Sequence, residues 1–304
     1  MSTAPALLGA SGAAAWTLKH QASPAVRRWR PSLLPHQRTG SLHCRVANVV
    51  PGDSAVTILL HGLVASGDIF GAHFDRLGSD GPLIVPDLLG FGRSIDTGRN
   101  TFGAVDHLDA LDEMLHQLGL ADRRIRLGAH SMGSALAMRW LERHPEQIAS
   151  VTCFGPPIYR DATDMNATIA DSGLMSRLFV ANTSWAKAAC RLNCSHRHLA
   201  GLAAAALTPD LPIPIARAAS LHTWPAYRDA LDDVVSTTQW TDLARIAQDH
   251  NIPMTTLWGA DDTIGDRDFA STIWHLKTIT IPGAGHHLPL THPQLCVEQI
   301  ATSP

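Results

Sequence analysis

Charge is scarce in this chain. Asp, Glu, Lys and Arg make up 17% of its 304 residues and leave a formal net charge of -3. So even a balance offers no overall field to attract nucleic acid or an anionic membrane, and neither is expected as a partner. Cysteine is also sparse. The five present (Cys44, Cys153, Cys190, Cys194 and Cys296) are odd in number and scattered, which argues against a disulfide framework and for reduced thiols in a cytoplasmic setting. No apolar run approaches the roughly 20 residues of a membrane span, and no internal repeat is evident. What is present is a hydrophobic fraction of 45%, enough to build one large soluble domain, alone or with an insertion.

Residues 4–18 are small and apolar, like the core of a secretion signal, but no basic residue precedes them and Lys19 lies on the wrong side. The stretch 1–40 is therefore read as an N-terminal arm, weakly ordered or forming a short helix. Beyond it, 42–47 looks like an early strand, and the segments 55–60, 83–86, 151–154, 254–258 and 276–281 are short apolar runs of the kind expected for strands buried on both faces, with a further short apolar strand opening 124–140. Helical periods alternate with them. In 101–120, Val105, Leu108, Leu111, Leu115 and Leu118 are expected on one apolar face, with Asp106, Asp109, Asp112 and Glu113 outside. The segment 132–144 is a second helix, stopped by Pro145. Such alternation predicts an α/β fold with a mostly parallel sheet flanked by helices. It breaks at 158–235, where helix-like pieces (174–181, 183–192, 198–207 and 215–235) follow one another without a strand. An insertion of this kind should pack over one end of the sheet. The core is thus read as 41–157 and 236–304, and the insertion as 158–235.

Ser131 stands at the apex of the strand-turn-helix 124–140, within Ala129-His130-Ser131-Met132-Gly133. A serine there is lifted above the sheet, with the helix N-terminus beneath it and small flanking residues for close strand-helix packing. This block resembles the nucleophile elbow of the α/β-hydrolase superfamily, with Ala129 in place of the first glycine of Gly-x-Ser-x-Gly. His61-Gly62-Leu63 after the 55–60 strand resembles the family's His-Gly oxyanion element. Asp87-Leu88-Leu89-Gly90-Phe91-Gly92-Arg93-Ser94 matches its Asp-x-x-Gly-x-Gly-x-Ser loop, whose role is structural. Asp262, after Trp258-Gly259, and His286, after Gly285, resemble the sites of the triad acid and base, with Asp261 as rival for the acid.

The resemblance implies an α/β-hydrolase fold with an all-helical cap, or lid, after the sixth strand. It implies catalysis by Ser131, Asp262 and His286, with the backbone N–H groups of Leu63 and Met132 holding the oxyanion. No cofactor is required. The expected activity is hydrolysis of a carboxylic ester or similar small apolar acyl compound through an acyl-enzyme. Serine at 131 argues against the haloalkane dehalogenase and epoxide hydrolase branches, which attack with a carboxylate. A carbon–carbon hydrolase of the meta-cleavage-product type is the alternative, although it needs a cationic cap residue that Arg177, Arg191 and Arg217 do not clearly supply. A ligand receptor on a hydrolase scaffold is the other, and the intact triad speaks against it. Trp185 and Trp224, with Phe179, Met165 and Met175, are candidate substrate-binding residues or the cap's own small core. Cys190, Cys194, His196 and His198 have zinc-ligand chemistry, but their spacing fits no common framework, and no metal is expected. His130, His287 and His292 are read as packing or loop residues.

Overall fold

The computed structural model describes residues 4–171, 184–273 and 277–302. Its eight strands are β1 (His36–Thr39), β2 (Leu42–Ala47), β3 (Val56–Leu60), β4 (Leu83–Asp87), β5 (Ile125–His130), β6 (Ile148–Phe154), β7 (Met254–Gly259) and β8 (Lys277–Ile281). They form one sheet in the order β1-β2-β4-β3-β5-β6-β7-β8. β2 runs antiparallel to β1 and β4, and every other pairing is parallel. β1 is not foreseen from the sequence. Its residues are His-Gln-Arg-Thr, mostly exposed at the sheet edge, so no apolar alternation marks it. Pairing across the two-residue Gly40-Ser41 loop makes it a strand.

β3, β4 and β7 are buried at every position, as parallel strands covered on both faces must be. Alternate residues enter different apolar layers: Val56, Ile58 and Leu60 on one side of the sheet, Leu59 on the other. The first layer is closed by α3 (Ala104–Gln117), α4 (Met132–Arg143) and α10 (Trp240–Asp249); the second by the 3-10 turn Ala72–Ser79 and α13 (Pro293–Ala301). Helices α1 (Ala4–Ala22) and α2 (Pro24–Arg28) precede β1, so the arm is more helical than expected. α11 (Arg267–Thr272) and the short α12 (Leu288–Thr291) flank β8. No helix among the described residues is long and apolar enough to cross a membrane.

Between β6 and β7 the described chain is helical: α5 (Ala162–Asp171), α6 (Ser184–Ser195), α7 (Arg197–Leu207), α8 (Ile213–Ala218), α9 (Trp224–Asp229), a π-turn (Ala230–Val235) and then α10. The expected piece at 174–181, with Met175, Arg177 and Phe179, lies outside the described residues. One part of this segment does not stand apart from the sheet layers. Ala226, Ala230, Leu231 and Val234 are buried in the same apolar cluster as α3 and α4. Asp229 accepts the N–H of Phe102 at 2.8 Å and Asp233 that of Ala104 at 2.7 Å, so two carboxylates from the inserted segment cap the start of α3.

One residue on α3 departs from the expected face. The buried residues are Ala104, His107, Leu108, Ala110, Leu111, Met114 and Leu115, while Val105 is 63% exposed. Val105 lies three residues before Leu108, but the centre of the stripe falls between His107 and Leu111, a further part-turn away. Leu108→Ala, at a 5% exposed position, should lower the unfolding free energy by about 2–5 kcal/mol. Val105→Ala should change it by less than about 0.5 kcal/mol. Urea unfolding followed by far-UV circular dichroism separates the two, and equal losses would restore Val105 to the core.

Candidate active site

Strand register builds the site. Leu60 lies opposite Ala129, His130 opposite Phe154, and Gly259 opposite Ile281, so the loops leaving β3, β5, β6, β7 and β8 emerge along one edge. β3 is followed by β4 on one side and flanked by β5 on the other. This reversal is where open α/β sheets leave a crevice beyond the carboxyl ends of their strands.

Ser131 occupies that edge with φ 53° and ψ -125°, a left-handed φ that a side-chain-bearing residue adopts only under constraint. The constraint is visible on both sides. Ser131 N–H donates to Phe154 O at 2.9 Å, and its carbonyl accepts Ser134 N–H at 2.8 Å. α4 folds back so tightly that a Cβ on Gly133 would stand 2.3 Å from Leu60 O. Ala129 is fully buried and its methyl fits. The turn after β3 presses on the serine as well: a Cβ on Gly62 would stand 2.9 Å from the Ser131 Cβ. Two residues later Val64 has φ 48°, a second strained position, and in a β-branched residue. Among the described residues, neither the N–H of Leu63 nor that of Met132 donates to a protein acceptor.

The sheet's other half brings the acid and the imidazole. His286 Nδ1 lies 2.9 Å from Asp262 Oδ2, and the Asp262 carboxylate is withdrawn from solvent. Asp262 Oδ1 accepts Ile264 N–H at 2.9 Å, which fixes the carboxylate plane. Asp261 is exposed and uses its own N–H on Ala284 O, so Asp262 is the carboxylate that meets the histidine. Gly155, which the sequence reading did not single out, makes room for the pair. It follows Phe154, the partner of Ser131, and a Cβ on it would be 2.9 Å from both Asp262 Oδ2 and His286 Nδ1. Tyr159 accepts Gly265 N–H at 3.1 Å, bracing the Asp262 loop; nothing in its sequence context marked it.

His61 is a pin beneath the β3 turn. Leu88 N–H donates to its Nε2 at 2.8 Å, so Nε2 carries no proton, and Nδ1–H donates to Gly62 O at 2.8 Å. Full burial pushes its pKa down, in keeping with this neutral tautomer. The 87–94 loop is held as expected of a structural element. Asp87 accepts the N–H groups of Gly67 and Arg93, each at 2.7 Å. Ser94 donates to Asp87 O at 2.6 Å and accepts His43 N–H at 2.8 Å.

Further histidines crowd the base. The rings of His130 and His287 lie 4.7 Å and 5.5 Å from that of His286, and His130 Nε2–H donates to His286 O at 3.1 Å. Burial holds His130 well below the ordinary imidazole range and His287 down to about 4. His292 bonds locally to Thr291. Trp224 lies against Tyr227 and under the Arg228 guanidinium, at 6.0 Å and 5.9 Å. Trp185 is on α6, and its side chain is outside what is described. Cys190 Sγ lies 3.9 Å from Cys194 Sγ and 3.6 Å from His222 Nε2. His196 and His198 turn instead to Leu192 O and Arg217. Among the described residues no His, Cys, Asp or Glu group is placed to hold a metal.

Buried neutral histidines set a pH dependence for stability. Burial depresses His107 to about 3, and neither of its ring nitrogens has a partner among the described residues. Above the ordinary imidazole pKa of about 6.5 it is neutral both folded and unfolded and carries no penalty. As pH falls below that value only the unfolded chain takes the proton, so stability is lost progressively toward about pH 3. His107→Leu should flatten the fall in unfolding free energy between about pH 6 and 4.5 by roughly 1.4 kcal/mol per pH unit. Parallel urea-unfolding curves of variant and wild type at each pH would refute it.

Comparison with known proteins agrees with the architecture. A family model described as the alpha/beta hydrolase family matches residues 57–299. The chain is 35% identical over 108 residues to the magnesium-chelatase 30 kDa subunit of Rhodobacter capsulatus, covering 36% of this chain and 37% of that one. It is 33% identical over 94 residues to lipase 3 of Moraxella sp. (strain TA144), covering 31% and 29%. The matched segment thus spans about a third of each of these relatives. Among solved structures, an N-acyl homoserine lactonase complexed with N-hexanoyl homoserine superposes with a TM-score of 0.64 at 21% identity, over 88% of this chain and 95% of that one. With the model spanning most of the sheet and every loop that converges at its carboxyl edge, this chain belongs to the alpha/beta hydrolase family.

Proposed function

We propose that this hydrolase cleaves a carboxylic ester or a similar small apolar acyl compound through an acyl-enzyme on Ser131. The observation that carries the reading is the 2.9 Å contact between Asp262 Oδ2 and His286 Nδ1. With Nδ1 turned to the carboxylate, Nε2 is the His286 nitrogen proposed to take the proton of Ser131, a serine held at a strained turn. In the proposed course His286 takes the Ser131 proton as the hydroxyl oxygen attacks the acyl carbon. The N–H groups of Leu63 and Met132 receive the oxyanion. His286 then protonates the leaving group, and water releases the acyl group by the same steps reversed. A lipase and a lactonase among the relatives are in keeping with acyl chemistry. The helical segment 158–235 is proposed as a cap, with Trp185 and Trp224 lining an apolar pocket beneath it.

Two substitutions test the chemistry. A fluorophosphonate probe should label the wild type and leave Ser131→Ala unlabelled, with turnover falling on the order of a thousandfold or more. Asp262→Asn should cost a similar factor by favouring the wrong imidazole tautomer, whereas Asp261→Asn should cost little. Equal labelling, or the larger loss at Asp261, would remove the assignment.

The pocket has its own test. Each methylene buried in the transition state contributes about 0.8 kcal/mol, or roughly fourfold in kcat/KM. Across a series of p-nitrophenyl esters kcat/KM should climb until the pocket is full, and Trp224→Ala should move the optimum. A flat profile would argue against an apolar acyl pocket.

A further inference from the structure

α7 is apolar on both faces. Gly201 and Ala205, one turn apart, are buried, Gly201 toward Arg217 and Ser220. Leu199, Leu202, Ala203 and Ala206 follow the i, i+3, i+4, i+7 spacing on the opposite side, and all are exposed. Leu199 is 63% and Leu202 48% exposed, with Leu207 at the helix end 79% exposed. Beside this end lies α1, where Trp16 Nε1–H donates to Ala206 O at 3.0 Å and His20 meets Pro209 O at 2.8 Å. Of residues 12–22, only Trp16 and His20 are shielded, yet residues 4–18 contain no charged side chain. A helix apolar all round is stable when it is covered, or when it lies in lipid.

Charge identifies what covers it. Residues 4–30 and 184–209, which form and adjoin these two helices, hold seven Lys and Arg and no Asp or Glu, with Asp210 following directly, although the whole chain is net negative. Lys19, Arg27, Arg30, Lys187 and Arg191 among them are exposed. Exposed leucines beside a cluster of exposed bases are the composition of a surface that binds the headgroup region of an anionic bilayer. A second copy of the chain is the poorer occupant, since an isologous interface would set these bases against themselves. The surface also adjoins the site. Ser23 donates to Asp210 O at 2.5 Å, and Arg28 donates to Thr291 O on α12, which follows His286 and His287 directly.

We propose that α1 and the outer face of α7 dock this protein onto an anionic lipid surface. The argument is independent of the reaction catalysed. The test is co-sedimentation of the full chain with phosphatidylcholine vesicles, with and without about a third phosphatidylglycerol, at low and high salt. Binding is expected to the anionic vesicles and to weaken with salt. Leu199→Glu/Leu202→Glu should reduce the partition coefficient on the order of tenfold, and so should Lys187→Glu/Arg191→Glu. Both variants should keep the wild-type melting temperature and monomer-scale sedimentation. If the leucine pair fails to fold, the Lys187/Arg191 variant carries the test. Absence of vesicle binding, equal binding to neutral vesicles, or binding untouched by both variants would overturn the proposal. So would a dimer, abolished by the leucine pair, in place of vesicle binding.

Discussion

The backbone at Ser131 is the constraint on which the rest of the site depends. A serine at φ 53° relaxes unless its surroundings over-determine it. Here the determination comes from the sheet. Phe154 O on β6 holds the Ser131 N–H, and α4 is drawn so close to β3 that only hydrogen fits at Gly133. Both contacts require β5 to sit between β3 and β6 in parallel register. The strained residue is therefore stabilised by strands that are buried at nearly every position, and its backbone is positioned by the core.

Around that point the protein uses polar groups held neutral by burial. His61 is locked into one tautomer between Leu88 N–H and Gly62 O, joining the β3 turn to the 87–94 loop. His130 and His287, flanking His286, are depressed by desolvation, so neither places a fixed positive charge beside it near neutral pH. The carboxylate that remains, on Asp262, is turned onto His286 and braced by a backbone N–H.

The segment between β6 and β7 has two characters. Its later part is bound to the sheet layers, because Asp229 and Asp233 cap α3 and Ala226 to Val234 share the core cluster. At His222 it also bridges to Phe91 in the 87–94 loop. Its earlier part, α6 and α7, contributes little to those layers and carries exposed leucines. Helical content alone does not separate these two behaviours; the position of two aspartates does.

Alternating short apolar runs and amphipathic helices were legible from residues alone, since strand and helix periods are local properties of the chain. Marker spacing likewise made Ser131, Asp262 and His286 legible as candidates, kept Asp261 as a rival for the acid, and set the zinc-like Cys190 to His198 pattern aside. What local pattern could not supply was decided by long-range packing. Edge pairing made a strand of His36–Thr39. Helix rotation against the sheet exposed Val105 and buried His107. The loop after β7 turned Asp262 inward and left Asp261 outside. Gly155 acquired meaning only because β6 lies between the serine strand and the acid strand. Composition could total the charge at -3, but only the fold joined α1 to α7 and so gathered bases beside exposed leucines. Periodicity is written along the chain, whereas burial and orientation depend on contacts between residues far apart in it.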